Sequence, residues 1–382
     1  MEYRLEEIFD LQMGKTPSRS NPDYWNTCEN KWISIADLSK CGKYIENTKE
    51  YLSDQAVEES GINQIPENTV IMSFKLSIGK TAITSEPMYS NEAIMSFRDK
   101  KMVDILPDYI FYMFLSRNWD EGTNKAVMGK TLNKATLSKI KITLPDIKMQ
   151  KMVVDILDKV SDIIANRKVE LEKLDNLIKA RFIELFGDPI SNPNDWEIVP
   201  LGKRCEIVTG NTPSRSEPEN YGEYIEWIKS DNINTPSTFI TKAQECLSEI
   251  GFKKCRFVEA GSLLMTCIAG SINCIGNVAV TDRRVAFNQQ INAIVPKQDK
   301  VLYLYWLMLL SKPAIHSTIN MALKGILSKR QLAEMAFPFP PIVLQEQFAA
   351  FVKQTNKSKV AVQKALDQTQ LLFDSLMQAY FG

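Results

Sequence analysis

The feature that most constrains this chain is a phrase it spells twice. Thr209–Tyr221 reads TGNTPSRSEPENY, and Met13–Trp25, 196 positions earlier, reads MGKTPSRSNPDYW. One shared phrase decides little unless the same offset relates other segments. At an offset of 195, Trp32-Ile33 falls on Trp227-Ile228, Leu132 on Leu327, Lys134 on Lys329, Leu137 on Leu332, Pro145 on Pro340 and Gln150 on Gln345. Leu185-Phe186-Gly187 falls on Tyr380-Phe381-Gly382. The offset drifts to 193 at Met72/Met265 and to 197 at Gly79/Gly276 and Asn91/Asn288, as loop insertions and deletions would make it. The chain is one unit of about half its 382 residues, written twice.

Each copy has the same internal order. Short β-rich runs come first, Asn68–Phe74 and Ile78–Thr84 in one half, Gly261–Thr266 and Gly276–Thr281 in the other, separated by turn-forming residues. An apolar helix is predicted at Asp108–Ser116 and Leu302–Ser311. A proline signal follows, LPDIKMQ or FPPIVLQEQ, suited to a helix start. Beyond it lies a stripe with steps of four and three: Val153, Leu157, Val160, Ile164, Arg167, Leu171, Leu174, Ile178, Arg181, Leu185, and again Phe348, Val352, Thr355, Lys359, Val362, Leu366, Thr369, Phe373, Leu376, Tyr380. This is a coiled-coil seam with polar breaks, and each helix should run for about 60 Å. The expected fold class is therefore α+β. Two similar mixed units, 1–146 and 188–341, are joined by two long antiparallel helices, 147–187 and 342–382, which form a coiled-coil-like spacer with an internal pseudo-two-fold repeat.

Composition is that of an ordinary folded protein, 44% hydrophobic and 24% charged. The longest apolar run, Val301–Leu310, is about half a membrane span and reads as a buried helix. Seven cysteines without a CxxC pair, and charges where a signal peptide needs an apolar run, point to the cytoplasm and to no membrane partner. Lys+Arg and Asp+Glu number 46 each. That neutrality counts against a nucleic-acid binder working alone, but not against one that gathers its basic residues on one face or shares DNA with a basic partner.

Familiar chemistry is missing. The tripeptide GKT occurs at Gly14, Gly79 and Gly129, but the earlier glycine that a phosphate loop needs is Phe9, Phe74 or Asn124. One histidine, His316, and the cysteine spacings match no zinc site, and no serine sits in a nucleophile elbow. NPDYW and NPNDW lack the second proline of an adenine-methyltransferase tetrapeptide. No carboxylate set suggests a nuclease. What remains is two polar loops with basic residues. In TPSRS, Thr16, Ser18 and Arg19, with Lys15, and Thr212, Ser214 and Arg215 are candidates for phosphate oxygens or base edges. Lys75, Lys80, Lys130, Lys134, Lys229, Gln289, Lys324, Lys329 and Arg330 complete the candidate rim. For a single copy, a plain turn with a solvated arginine is the simpler reading; duplication favours a shared role.

The order of these motifs resembles the specificity subunits of type I restriction-modification systems. The resemblance rests on Gly210-Asn-Thr-Pro-Ser-Arg-Ser, Trp227-Ile228, Ile275-Gly276, Asn288-Gln289, the Pro340–Gln347 entry and a long helix ending in Phe-Gly, and it covers both halves. The first half departs from it at Glu92, where the second has Gln289, and at Pro145-Asp146, where the second has two prolines. The resemblance implies a non-catalytic chain with no cofactor of its own. It implies two target-recognition domains, each reading half of a bipartite double-stranded DNA sequence, with the helix pair setting the unread gap. It further implies docking of two modification subunits that bind S-adenosylmethionine, with Gln150, Gln345 and Gln347 as candidate partner contacts, and recruitment of restriction subunits. Alternatives are a recognition subunit of a related, type IIB-like bipartite system, a coiled-coil adaptor that binds no DNA, and a hydrolase with an unrecognised site. Salt-dependent DNA binding by the assembled complex separates a reader from an adaptor, because phosphate contacts release counterions.

Overall fold

The structure is a computed structural model and describes residues 1–75, 77–119, 124–126, 129–319 and 325–382, with backbone only for 124–126 and 129–131. The elements are α+β, as the repeat requires. Four helices carry the core: α1 (Pro107–Ser116), α2 (Ile147–Phe186), α3 (Val301–Leu310) and α4 (Ile342–Phe381). Both long helices are 40 residues. The chain forms two compact units, residues 1–168 with 364–382, and residues 169–363.

In the first unit the main strands are β1 (Phe9–Met13), β2 (Asn30–Ile33), β3 (Val70–Ser73), β4 (Thr81–Thr84) and β5 (Ile94–Asp99). A five-stranded sheet runs β1-β5-β3-β4 and then Tyr44–Ile45; the first three pairings are antiparallel and the last parallel. A second sheet sets β2 between Glu50–Leu52 and Tyr89–Ser90. The strands start later than the apolar runs suggest, because Asn68 and Gly79 take positive φ, 55° and 88°, and so belong to turns. Helix α1 buries Tyr109 to Phe114 without interruption, so it is a core helix rather than an amphipathic one. Phe114 meets Phe97 edge-on at 4.8 Å.

The second unit repeats this plan with β6 (Cys205–Thr209), β7 (Ile225–Ile228), β8 (Leu263–Thr266), β9 (Val278–Val280) and β10 (Ile291–Pro296). Its main sheet runs β6-β10-β8-β9, all antiparallel, and β7 lies between Cys246–Leu247 and Val285–Phe287. Phe182 stacks on Tyr303 at 5.6 Å, while Phe348 meets Phe182 and Phe186 edge-on at 5.4 and 5.5 Å. The Tyr303 hydroxyl donates to Pro338 O at 2.7 Å, which satisfies the one polar atom in this aromatic cluster.

The predicted stripes are the faces the long helices bury or half-bury: no residue of either stripe is exposed. In the first unit Val153 and Leu157 of α2 share a core with Met377 of α4, and Arg167 donates to Ala365 O and Thr369 Oγ1. In the second unit Phe182 of α2 meets Phe348 of α4, and Lys359 pairs with Asp175 at 2.5 Å. Within each unit the two helices run in opposite directions. The polar stripe positions are thus satisfied breaks, where a half-buried cation finds a carbonyl, hydroxyl or carboxylate. Phe182, Phe186 and Met377 lie one residue beside the stripe and are also buried, since the apolar face widens into the core of each unit.

Candidate nucleic-acid interface

The two TPSRS loops leave β1 and β6 at matching places. Gly14 and Gly210 pass so close to the following segment that a Cβ would come 2.1 Å from Ser90 O and 2.2 Å from Asn288 O. Only glycine permits that approach, and it lets Lys15 N donate to Ser90 O (2.8 Å) and Asn211 N to Phe287 O (3.1 Å). The next carbonyls accept from tryptophans: Trp32 Nε1 to Lys15 O at 3.0 Å, Trp227 Nε1 to Asn211 O at 3.3 Å. Each loop thereby sits on an indole from the adjacent sheet.

The arginines follow the same duplicated plan, and each is already held by partners within its own unit. Arg19 grips Glu50 with both terminal nitrogens, one at 3.1 Å, and its guanidinium lies 3.7 Å over Trp25 and 4.9 Å over Trp32. Arg215 grips Glu245 in the same way, also 3.1 Å for one bond, and lies 4.5 Å over Tyr221 and 5.3 Å over Trp227. Lys229 shares Glu245. The hydrogen bond from Arg215, and then Lys229, hold the Glu245 carboxyl below the ordinary glutamate range, and Glu245 in turn raises the Arg215 pKa. A planar guanidinium that is both forked onto a carboxylate and stacked on a ring fixes the loop. Its remaining face is open, since the side chains of Arg19 and Arg215 are 49% and 57% exposed.

The hydroxyls are also engaged. Thr16 donates to Glu92 and Thr212 to Gln289, while Ser18 pairs with Ser20 at 2.8 Å and Ser214 with Ser216 at 2.7 Å. The Thr16 bond holds the Glu92 pKa low, with smaller help from Lys75 and Arg19. The structure therefore brings together Lys15, Thr16, Ser18, Arg19 and Lys75 in one unit, and Thr212, Ser214, Arg215, Lys229 and Gln289 in the other. Lys80 turns instead to Ser39 at 2.5 Å. Lys134 and Lys329 stand not on loops but as the first residues of short helices, Lys134–Ser138 and Lys329–Glu334, whose ends are capped by Asn133 and Ser328; Arg330 pairs along its helix with Glu334 at 2.7 Å. The Lys130 side chain and Lys324 lie outside the described residues.

Gln150 and Gln345 require a correction. Both are fully buried, and their amides are spent inside the fold. Gln150 accepts from Leu106 N and donates to Asp104 O and Pro145 O, each at 3.0 Å. Gln345 accepts from Lys300 N at 3.0 Å and donates to Pro340 O at 3.0 Å and to the Asp299 carboxylate at 2.9 Å. They latch the start of each long helix to the segment before α1 or α3 and are closed to a partner. Gln347 is exposed. Sequence reasoning missed Glu50 and Glu245, although they too stand 195 apart. Among the described residues no cluster has the makings of a metal site, and no helix is long and apolar enough to cross a membrane. His316 Nε2 lies 2.8 Å from Ile275 O.

The family model described as the type I restriction modification DNA specificity domain matches twice, at residues 1–175 and 193–369. The chain belongs to this family. It is 25% identical over 232 residues to the type I restriction enzyme MjaIX specificity subunit of Methanocaldococcus jannaschii, covering 56% of this chain and 53% of that protein. It is 33% identical over 110 residues to the HindI specificity subunit of Haemophilus influenzae, covering 28% of this chain and 23% of that one. These matches thus span from a quarter to about half of the relatives' length. A longer one, 23% identical, links it to the putative MjaX specificity subunit over 95% of this chain and 94% of that protein. Among solved structures, the type I restriction-modification S subunit of M. genitalium overlays with a TM-score of 0.58 at 13% identity, covering 99% of this chain and 94% of that one. A chain from a structure concerned with complex assembly and conformational transition of the type I system overlays at 0.60, with 15% identity and coverages of 100% and 97%. The family shares this fold, and the twin loops occupy both of its matched domains.

Proposed function

We propose that the chain is the DNA-reading subunit of a type I restriction-modification complex, each unit contacting one half of a bipartite, asymmetric target. The observation that carries this reading is the duplicated loop platform, a glycine close approach, a tryptophan shelf and an arginine-glutamate clamp built the same way in both matched domains. Backbone N–H groups, Ser and Thr hydroxyls and the flanking Lys15, Lys75 and Lys229 are the groups such a platform offers to phosphates and base edges. With each arginine balanced by a glutamate, positive charge for the DNA backbone comes largely from elsewhere, which fits a formal net charge of zero in a subunit that encloses DNA jointly with partners. Helices α2 and α4 set the distance between half-sites and carry two modification subunits. S-adenosylmethionine and the methyl transfer to adenine belong to those subunits, and restriction subunits join the same core.

The test is to co-express the chain with the modification subunit encoded beside it in a methylation-free host and to map modified adenines. A two-part motif with a constant gap, lost when this chain is omitted, is expected. A modification subunit that associates with the chain yet marks no such motif would favour the adaptor.

A further inference from the structure

One position sets the two loop platforms apart while its surroundings are held the same. The turns before β5 and β10, Asn91-Glu92-Ala93 and Asn288-Gln289-Gln290, are built alike. Asn91 N donates to Ile33 O and Asn288 N to Ile228 O, both at 3.1 Å, and Ile94 N donates to Asn91 O and Ile291 N to Asn288 O, both at 3.2 Å. Each asparagine side chain closes its turn by accepting from the amide two residues on, Ala93 N or Gln290 N, at 3.0 Å. Glu92 and Gln289 therefore stand at the same place, both exposed, and each accepts from the threonine of its TPSRS loop, Thr16 or Thr212.

The bond to threonine needs one oxygen, and the Gln289 carbonyl supplies it as the Glu92 carboxylate does. Fastening the loop thus requires no charge at this position. What the exchange alters is what the tip of the turn offers outward. An ionised carboxylate only accepts, whereas an amide also carries two N–H donors, and the described residues give the Gln289 nitrogen no acceptor. The Thr16 hydrogen bond, then Lys75 and Arg19, hold the Glu92 carboxyl below the ordinary glutamate range, so it is charged at neutral pH. A charged carboxylate is repelled by phosphate and by the N7, O6 and O4 acceptors of the major groove. The groups there that can meet it are the exocyclic amines, cytosine N4 and adenine N6. Burying it against DNA without such a donor costs its full desolvation.

We propose that Glu92 is a specificity-determining residue of the first unit, accepting from the exocyclic amine of one base in the major groove and so fixing which way round one base pair of its half-site lies. The proposal rests on the DNA-reading function above and adds to it a residue and the chemical group it reads. Reversing that pair brings guanine O6 or thymine O4 against the carboxylate, acceptor against acceptor. Gln289, with a donor and an acceptor on one amide, meets either orientation and carries no such exclusion into the second half-site.

The experiment maps modified adenines in a methylation-free host for the full chain with its modification subunit, and for Glu92→Gln and Gln289→Glu, alongside thermal melts of each chain. Glu92→Gln keeps an acceptor for Thr16, as Gln289 does for Thr212, so its melting temperature should not move. At one position of one half-site, sites with the reversed pair, methylated about tenfold less than cognate sites by the unaltered chain, should rise to within about threefold of them, with the other positions unchanged. Gln289→Glu should act on the other half-site, where one position loses the pairs that present an oxygen or N7 to it. A motif that Glu92→Gln leaves unchanged overturns the proposal. So does an equal loss of methylation at all sites with a lowered melting temperature, which makes Glu92 a fastener of the loop, and so do two variants that alter the same half-site. An unaltered chain that directs no two-part motif overturns the DNA-reading function itself.

Discussion

At the scale of single residues, the arginine of TPSRS fastens its own loop. An exposed ion pair and an aromatic stack each contribute little, but together they hold a loop of polar residues in one place. Arg215→Ala should lower the melting temperature of the second unit's transition by about 2–4 °C. Arg215→Lys should recover little of it, because an ammonium neither forks nor stacks as a guanidinium does. DNA binding by the assembled complex gives an independent readout. If Arg215 clamps rather than touches phosphate, its alanine variant weakens binding with an unchanged salt slope, whereas loss of a phosphate contact reduces the slope by about 0.9. The clamp also has a pH signature. Glu245 titrates below its ordinary value in the folded unit, so its contribution is present above the ordinary glutamate pKa and disappears as pH falls through the lowered one. The stability gap between the unaltered chain and Glu245→Gln should therefore persist at the ordinary glutamate pKa and close below it, as acid-titrated thermal melts would show.

At the scale of elements, the long helices are held at their starts by one buried glutamine each. Gln345→Ala strands the Lys300 N–H and the Pro340 carbonyl and removes one of the two donors to Oδ1 of buried Asp299, which Arg204 still holds, and should cost about 1–3 kcal/mol. Gln150→Ala strands only backbone groups, since Asp104 accepts through its carbonyl, and should cost less. Hydrogen exchange at 299–306 against 104–112 in the two variants measures the difference. These glutamines also mark the limit of what the sequence discloses. The seam of α2 and α4 was legible because 3.6-residue periodicity is a local property, and the paired loops because repetition needs no structure. A polar residue at a helix start looks the same whether it faces solvent or a buried carbonyl, so Gln150 and Gln345 read as surface. Glu50 and Glu245 lie about thirty residues from the arginines they grip, and only the 195-residue offset carried any trace of the pairing.

At the scale of the whole molecule, the proposed reading of one half-site by each unit makes a metrical prediction. Removing one heptad from the facing stretches of both α2 and α4 keeps the seam nearly in phase and takes out about 10 Å of helix. If the helices set the gap, the methylated motif of the shortened chain should lose about three unread base pairs, at 3.4 Å each, with both half-sites unchanged. A motif with its original gap would assign the spacing to the partners.

The division of the chain into units has a consequence for how it is made. The second unit is continuous, Val169–Gln363, but the first closes only with 364–382, which bring Met377 into its core and Phe381 to 5.2 Å from Tyr109. During synthesis the earlier-made domain therefore waits, its floor open, until the later-made one has already emerged and has all its parts. The first to be translated is the last to be finished, and a ribosome that stalls before residue 364 releases a chain with one completed unit instead of two.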